Sequence, residues 1–130
     1  MTLQVELVSP ERILYSGEAE MVVCRTAGGE IAFLTGHAPF LGTLGIGVVR
    51  IHPEGGGEVV KAAVHEGFVE VKDNRVIVLS DVAELPDQID AERARRSQED
   101  AERRIREGDD AEAEAQLRRA HVRLELAGHR

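Results

Sequence analysis

The residues able to do chemistry are present in this chain, but their spacing does not arrange them for it. His37, His52, His65, His121 and His129 could ligate a metal, yet no two stand at H-x-x-x-H spacing and no cysteine pair joins them. Ser9, Ser16, Ser80 and Ser97 lie in no G-x-S-x-G elbow. Cys24 is the single cysteine, in Met21-Val22-Val23-Cys24, and reads as a small buried hydrophobe in a reducing compartment. Gly42-Thr43-Leu44-Gly45-Ile46-Gly47 runs G-x-x-G-x-G, the reverse of the dinucleotide order, with no helical pattern after it. It reads as strand bends. Carboxylates are abundant, but no pair is assigned to a pocket, so a hydrolase reading has nothing specific behind it. The sequence nominates no catalytic residue and no metal ligand.

The charged residues that do have a pattern are arginines. After Pro86 there are ten arginines, no lysine and twelve acids. Acid-before-arginine pairs four apart recur at Glu92/Arg96, Glu99/Arg103, Asp100/Arg104, Glu102/Arg106 and Glu114/Arg118. Such pairs add about 0.2–0.5 kcal/mol each to a solvated helix. Ala91, Ala94, Ala101 and Ile105 form the apolar stripe of one helix, with Asp87 as its expected cap and Gly108 as its end. Asp109 and Glu112 have capping-box spacing for a second helix, whose seam runs Ala113, Leu117, Ala120, Leu124, Ala127. Seams made mostly of alanine bury little area. Residues 87–130 therefore read as a helical hairpin that holds its own shape and adheres weakly to its surroundings.

Residues 1–86 are of another kind. They hold all four prolines, every aromatic residue and eleven of the thirteen glycines. Apolar, β-branched runs at Leu3–Val8, Met21–Cys24, Ile31–Leu34, Val48–Ile51, Val59–Val64, Phe68–Val71 and Val76–Leu79 predict short strands. Gly28-Gly29, Gly55-Gly56-Gly57 and Asp73-Asn74 supply turns that need positive φ. The expected architecture is an all-β sandwich or barrel. Val76-Ile77-Val78-Leu79 is apolar at every position, which predicts a strand buried on both faces. The net charge of −8 excludes the basic footprint of a nucleic-acid partner. No apolar run approaches the roughly 18 residues of a membrane span, and Thr2-Leu3-Gln4-Val5-Glu6 alternates like a strand, not a leader. Any membrane link is expected to come through a partner.

Five segments resemble, in order, the epsilon subunits of bacterial F-type ATP synthases. They are Val8-Ser9-Pro10-Glu11-Arg12 with Tyr15-Ser16-Gly17 and Glu20-Met21-Val22, Gly29-Glu30-Ile31-Ala32-Phe33-Leu34-Thr35-Gly36-His37-Ala38-Pro39-Phe40, Gly67-Phe68-Val69-Glu70-Val71, Val76 through Glu84, and Ile89-Asp90-Ala91-Glu92-Arg93-Ala94. Thr35 replaces a proline of the family pattern, Ala32 and Glu66 replace glycines, and Cys24-Arg25 replaces a commoner Val-Pro. The resemblance implies a sandwich of about ten strands followed by an α-helical hairpin. It implies a non-catalytic rotor subunit that couples proton-driven c-ring rotation to ATP synthesis. The gamma subunit and the c-ring would be its partners, at the cytoplasmic face of the cell membrane. It also implies a regulatory arm that extends to the catalytic alpha and beta subunits and inhibits ATP hydrolysis. From Asp87 to Gly128 is 42 residues, about 63 Å as continuous helix at 1.5 Å each.

By the same resemblance Gly28, Gly29 and Glu30 fall on the loop that meets the c-ring. No cofactor is required. ATP as a regulatory ligand would use Glu84, Ile89, Asp90, Arg93, Ala94, Arg119 and Arg123. The guanidinium groups would take the phosphates, while Glu84 and Asp90 would accept bonds from adenine or ribose. Asp100 stands where ATP-binding members have a further arginine. A carboxylate there would cost about 2–5 kcal/mol, or roughly 30- to 4,000-fold in affinity, so weak binding is expected. The alternative function is a stand-alone ATP-sensing module.

Overall fold

Alternating apolar residues make Leu3–Ser9 (β1) a strand whose Leu3, Val5 and Leu7 are buried. In the computed structural model, which describes residues 2–108 and 110–128, six more strands follow: Arg12–Thr26 (β2), Gly29–Leu34 (β3), Phe40–Pro53 (β4), Val60–Lys72 (β5), Arg75–Ser80 (β6) and Ala83–Glu84 (β7). The ladder runs β1–β6–β5–β4–β2, and β2 pairs back onto β1, so the sheet closes on itself. β3 adds to β2, and β7 adds to β5. Closure leaves one interior, filled by Leu3, Leu7, Val22, Phe33, Ile51, Val69, Val76 and Val78 among others. This is the expected β-sandwich with barrel-like closure.

The seven strands of the described residues are fewer than the ten or so that the resemblance implies, and several are longer than the apolar runs that predict them. β2, β4 and β5 are 15, 14 and 13 residues long, and β2 pairs with β1 through its first half and with β3 and β4 through its second. β5 unites the two runs Val59–Val64 and Phe68–Val71 through a kink. There Glu66 has φ 69° and Gly67 has φ 139°. A Cβ on Gly67 would sit 2.1 Å from the Leu79 carbonyl oxygen, so only glycine fits. Asp73 and Asn74, at φ 51° and 59°, make the expected two-residue turn between β5 and β6. Of the glycines expected at positive φ, Gly29, Gly55 and Gly56 adopt it and Gly28 and Gly57 do not.

The strand expected to be buried on both faces is not. Val76 and Val78 are buried, but Leu79 is 45% exposed, because the closed sheet has one inside and this stretch of its outside is uncovered. Leu79 belongs to an outward apolar band. In ladder register, Ile13 lies beside Val8, Val8 beside Leu79, and Leu79 beside Phe68. Ile13 and Phe68 are 60% and 54% exposed, and Leu41, near Phe68 on β4, is 70% exposed.

Pro86–Gln88 forms a single 3-10 turn, with Leu85 N–H donating to Gln88 Oε1 at 2.9 Å. The helices Ala91–Glu107 (α1) and Ala111–Ala127 (α2) follow. Asp90, not Asp87, caps α1, accepting from Arg93 N–H at 3.1 Å; Pro86 draws Asp87 into the 3-10 turn instead. Asp109 lies outside the described residues. The observed cap of α2 is Asp110, whose Oδ1 accepts from Glu112 and Ala113 N–H. Ala94 and Ala101 of α1 and Ala113 and Ala120 of α2 are buried in the seam as expected. Leu126 is buried on another face of α2, against Val48, Ala63 and Ile89.

Candidate functional site

The residues nominated for ATP converge. Glu84 is carried by β7, Asp90 caps α1, Arg93 and Ala94 occupy its first turn, and Arg119 and Arg123 lie one turn apart on α2. These six, with Gln88, Ser97 and Gln116, line one cleft of about 390 Å³ between the two helices and the end of the sandwich. Ile89 does not line it; it is buried under α2 beside Val48, Ala63 and Leu126.

The charges around the cleft are largely engaged with one another. Arg123 Nε donates to Glu84 Oε1 at 2.6 Å, and His65 Nε2 lies 3.3 Å from the same oxygen. The His65 hydrogen bond, with Arg123 beside it, holds the Glu84 carboxyl below the usual carboxylate range, against the opposing effect of burial. Arg119 donates to Glu112 at 2.8 Å. Asp90 is committed to its cap. Among the described residues, Arg93 alone of the three cleft arginines has no carboxylate within 4.0 Å. An anion entering the cleft would meet Arg93 first and would compete with Glu112 and Glu84 for the other two.

Asp100 is not part of the lining. Its carboxylate turns into the helix–helix seam, accepting from Arg103 and, at 3.1 Å, from Gln116 Nε2. Of the five acid–arginine pairs expected at a spacing of four, Asp100/Arg104 closes to 4.0 Å. Glu92/Arg95 and Asp100/Arg103 pair at a spacing of three instead.

Gly28, Gly29 and Glu30 lie at the β2–β3 turn, which Thr26 braces by donating its hydroxyl to the Gly29 carbonyl at 2.9 Å. Glu30 is exposed and lies 4.0 Å from Arg50 Nη1; Arg50 Nη2 lies 3.6 Å from Glu125 of α2. The arm thus meets the sandwich through Leu126 at the centre, with Arg123–Glu84 and Glu125–Arg50 as ionic contacts of opposite polarity. Cys24 is a buried free thiol whose pKa burial pushes up to about 12, so it is inert.

Sequence reasoning missed His65, Arg50, Ser97 and Gln116. Two of them carry a signal: Ser97 interrupts the Ala94–Ala101 stripe and Gln116 the Ala113–Ala120 stripe, each a polar residue in an alanine seam.

Residues 2–86 match the family model described as ATP synthase, Delta/Epsilon chain, beta-sandwich domain. The ATP synthase epsilon chain of Streptomyces griseus is 47% identical over 121 residues, covering 93% of this chain and 97% of that one. The chain belongs to the ATP synthase epsilon-chain family. The epsilon chain of Shouchella clausii is 42% identical over 131 residues, covering 99% of this chain and 97% of that one, helices included. In fold, a chain from the Euglena gracilis mitochondrial ATP synthase OSCP/F1/c-ring structure is similar with a TM-score of 0.84 at 24% identity, over 98% of this chain and 82% of that one. A chain from the Tetrahymena thermophila mitochondrial ATP synthase central stalk and c-ring is similar with a TM-score of 0.55 at 14% identity, over 68% and 69%. Epsilon chains are non-catalytic subunits of ATP synthase, so ATP synthesis and ion transport are properties of the complex that such a chain joins. Among the described residues no helix is long and apolar enough to cross a membrane.

Proposed function

We propose that this chain is a central-stalk rotor subunit whose sandwich docks on the gamma subunit and the c-ring and whose arm restrains ATP hydrolysis. The supporting observation is the contrast between its two surfaces. The sandwich leaves the Ile13–Leu79–Phe68–Leu41 band open to a partner, and such bands mark interaction sites on otherwise polar proteins. The arm, in contrast, has a small attachment: among the described residues, Leu126 and Ile89 are its buried side chains in the cluster with Val48 and Ala63 of the sheet, with Val122 and Ala127 partly buried beside them and two ionic contacts at the surface. Burying two such side chains is worth about 3–6 kcal/mol. A partner surface of modest affinity, such as the acidic faces expected on the catalytic subunits, could draw the arginine-rich arm away.

In this reading the Gly28-Gly29-Glu30 turn faces the polar loops of the ring at the cytoplasmic side of the membrane. ATP enters the cleft of the docked arm weakly, through Arg93, and favours the non-inhibitory state by mass action. The test of the rotor role is co-purification. The full chain should come down with gamma and the membrane sector, and Phe68→Glu in the apolar band should weaken that association. A chain that is recovered free, binds ATP and ignores gamma would be a stand-alone sensor instead.

A further inference from the structure

We propose that Gln116 is a clasp that keeps the two helices of the arm together without any ligand, so that the arm leaves the sandwich as a closed hairpin and opens only in a separate step. This deepens, and rests on, the reading of the arm as mobile. The Gln116 side chain enters the seam between the helices. Its Nε2 lies 3.0 Å from the Ser97 carbonyl oxygen, 3.2 Å from Ser97 Oγ and 3.1 Å from Asp100 Oδ2, all on α1. Its Oε1 accepts from Arg104 Nη1, also on α1, at 2.8 Å. Both ends of the amide are thus engaged by the opposite helix.

The network continues to the turn. Arg104 Nη2 donates to Asp110 Oδ2 at 2.7 Å, while Asp110 Oδ1 caps α2. One chain of bonds runs from Ser97 through Gln116 and Arg104 to the start of α2. Against it, the apolar part of the seam is mainly four alanines, Ala94, Ala101, Ala113 and Ala120, each burying a single methyl group. In so thin a seam the polar contacts decide whether the helices stay together.

The clasp is separate from the attachment to the sandwich. That attachment uses Ile89 ahead of α1 and Leu126, Arg123 and Glu125 on α2, whereas α1 itself packs chiefly against α2. Loss of the clasp should therefore free α1 even while α2 stays docked. Asp100 also acquires a role here: its carboxylate anchors Gln116, and Arg103 and Arg104 offset its charge.

The experiment uses the full chain without nucleotide, spin-labelled at exposed positions through Arg96→Cys and His121→Cys; Cys24 is buried and stays unlabelled. Pulsed dipolar spectroscopy should give one short distance. Gln116→Ala should raise the ratio of open to closed hairpin at least about tenfold, the weight of one or two part-buried hydrogen bonds. Gln98→Ala, on α1 and outside the network, should leave it unchanged. A second pair at Glu58→Cys and His121→Cys reads docking, and Leu126→Ala should lengthen that distance while the hairpin distance stays short. A Gln116→Ala hairpin at the wild-type distance overturns the clasp, as does a hairpin that opens in Leu126→Ala with Gln116 intact. A docking distance unmoved by Leu126→Ala refutes arm mobility instead, a result the first pair cannot give.

Discussion

Arg123 of α2 and Glu84 of β7 meet at 2.6 Å, 39 residues apart in sequence, and His65 of β5 approaches the same carboxylate oxygen. This contact ties the arm to the sandwich and lies in the cleft nominated for ATP. Each side chain is about a quarter exposed, so the bond is stronger than a surface pair and weaker than a buried one. Glu84→Gln should cost about 1.5–3 kcal/mol of docking, the usual worth of a hydrogen bond to a charged group. Hydrogen exchange on α2 should accelerate accordingly, while exchange in β1 and β6 stays at the wild-type rate.

The same contact sets a pH dependence. The carboxyl of Glu84 is held below its ordinary 4.5 in the docked state, so its contribution is fully present above that value. It is lost as pH falls from there through the lowered value. The arm should become more sensitive to proteolysis on acidification across this window, before the sandwich unfolds. Glu84→Gln should flatten that response.

Leu126→Ala should weaken the apolar attachment by about 2–3 kcal/mol. The thermal midpoint of the sandwich should hold, because Leu126 touches only its outer face. Circular dichroism together with near-neighbour cross-linking would detect the difference: helix retained, arm released.

Much of this was legible in the sequence, and the misses have physical causes. Leu3, Val5 and Leu7 alternate because one face of their strand is buried, and the alanine stripes repeat because the helices pair. Glu84, Asp90, Arg93, Arg119 and Arg123 are nominated by the resemblance to the family, which does not reveal that Glu112 and Glu84 already hold two of the arginines. The cap of α1 was misplaced by three residues since a proline can open a 3-10 turn as well as a helix. Val76–Leu79 reads as doubly buried because periodicity registers apolarity and cannot say which side is covered. Gln116 stands out as a polar residue within the Ala113–Ala120 stripe, but its partners on α1 emerge only when the two helices are laid together.

Glu66 carries strain that the sequence hints at by placing glutamate where the family has glycine. At φ 69° it occupies the left-handed region inside a strand, a conformation costing a side-chain-bearing residue about 1–2 kcal/mol. Glu66→Gly should stabilise the sandwich by up to about 1 kcal/mol and raise its melting temperature by roughly 4–8 °C. An unchanged or lower midpoint would show that the side chain repays its strain.

Glu30→Arg at the β2–β3 turn would place a cation beside Arg50 and oppose any basic loop of the ring. Proton pumping driven by ATP should fall in the assembled complex while hydrolysis persists. Normal pumping with normal binding would remove Glu30 from the ring contact.

For the cleft, Arg93→Ala should abolish the weak ATP binding expected of the isolated chain, since among the described residues Arg119 and Arg123 of the cleft are held by carboxylates and Arg93 is not. Titration calorimetry that finds binding unaltered by the substitution would place the nucleotide elsewhere.

If residues 87–130 act as a removable brake on a rotor subunit, their loss should be felt in ATP hydrolysis before anything else. ATP hydrolysis should be compared in complexes assembled with the full chain and with a chain ending at Pro86. The truncated complex should assemble, synthesise ATP at close to the full-length rate and hydrolyse it faster. Equal hydrolysis rates in the two complexes would contradict it.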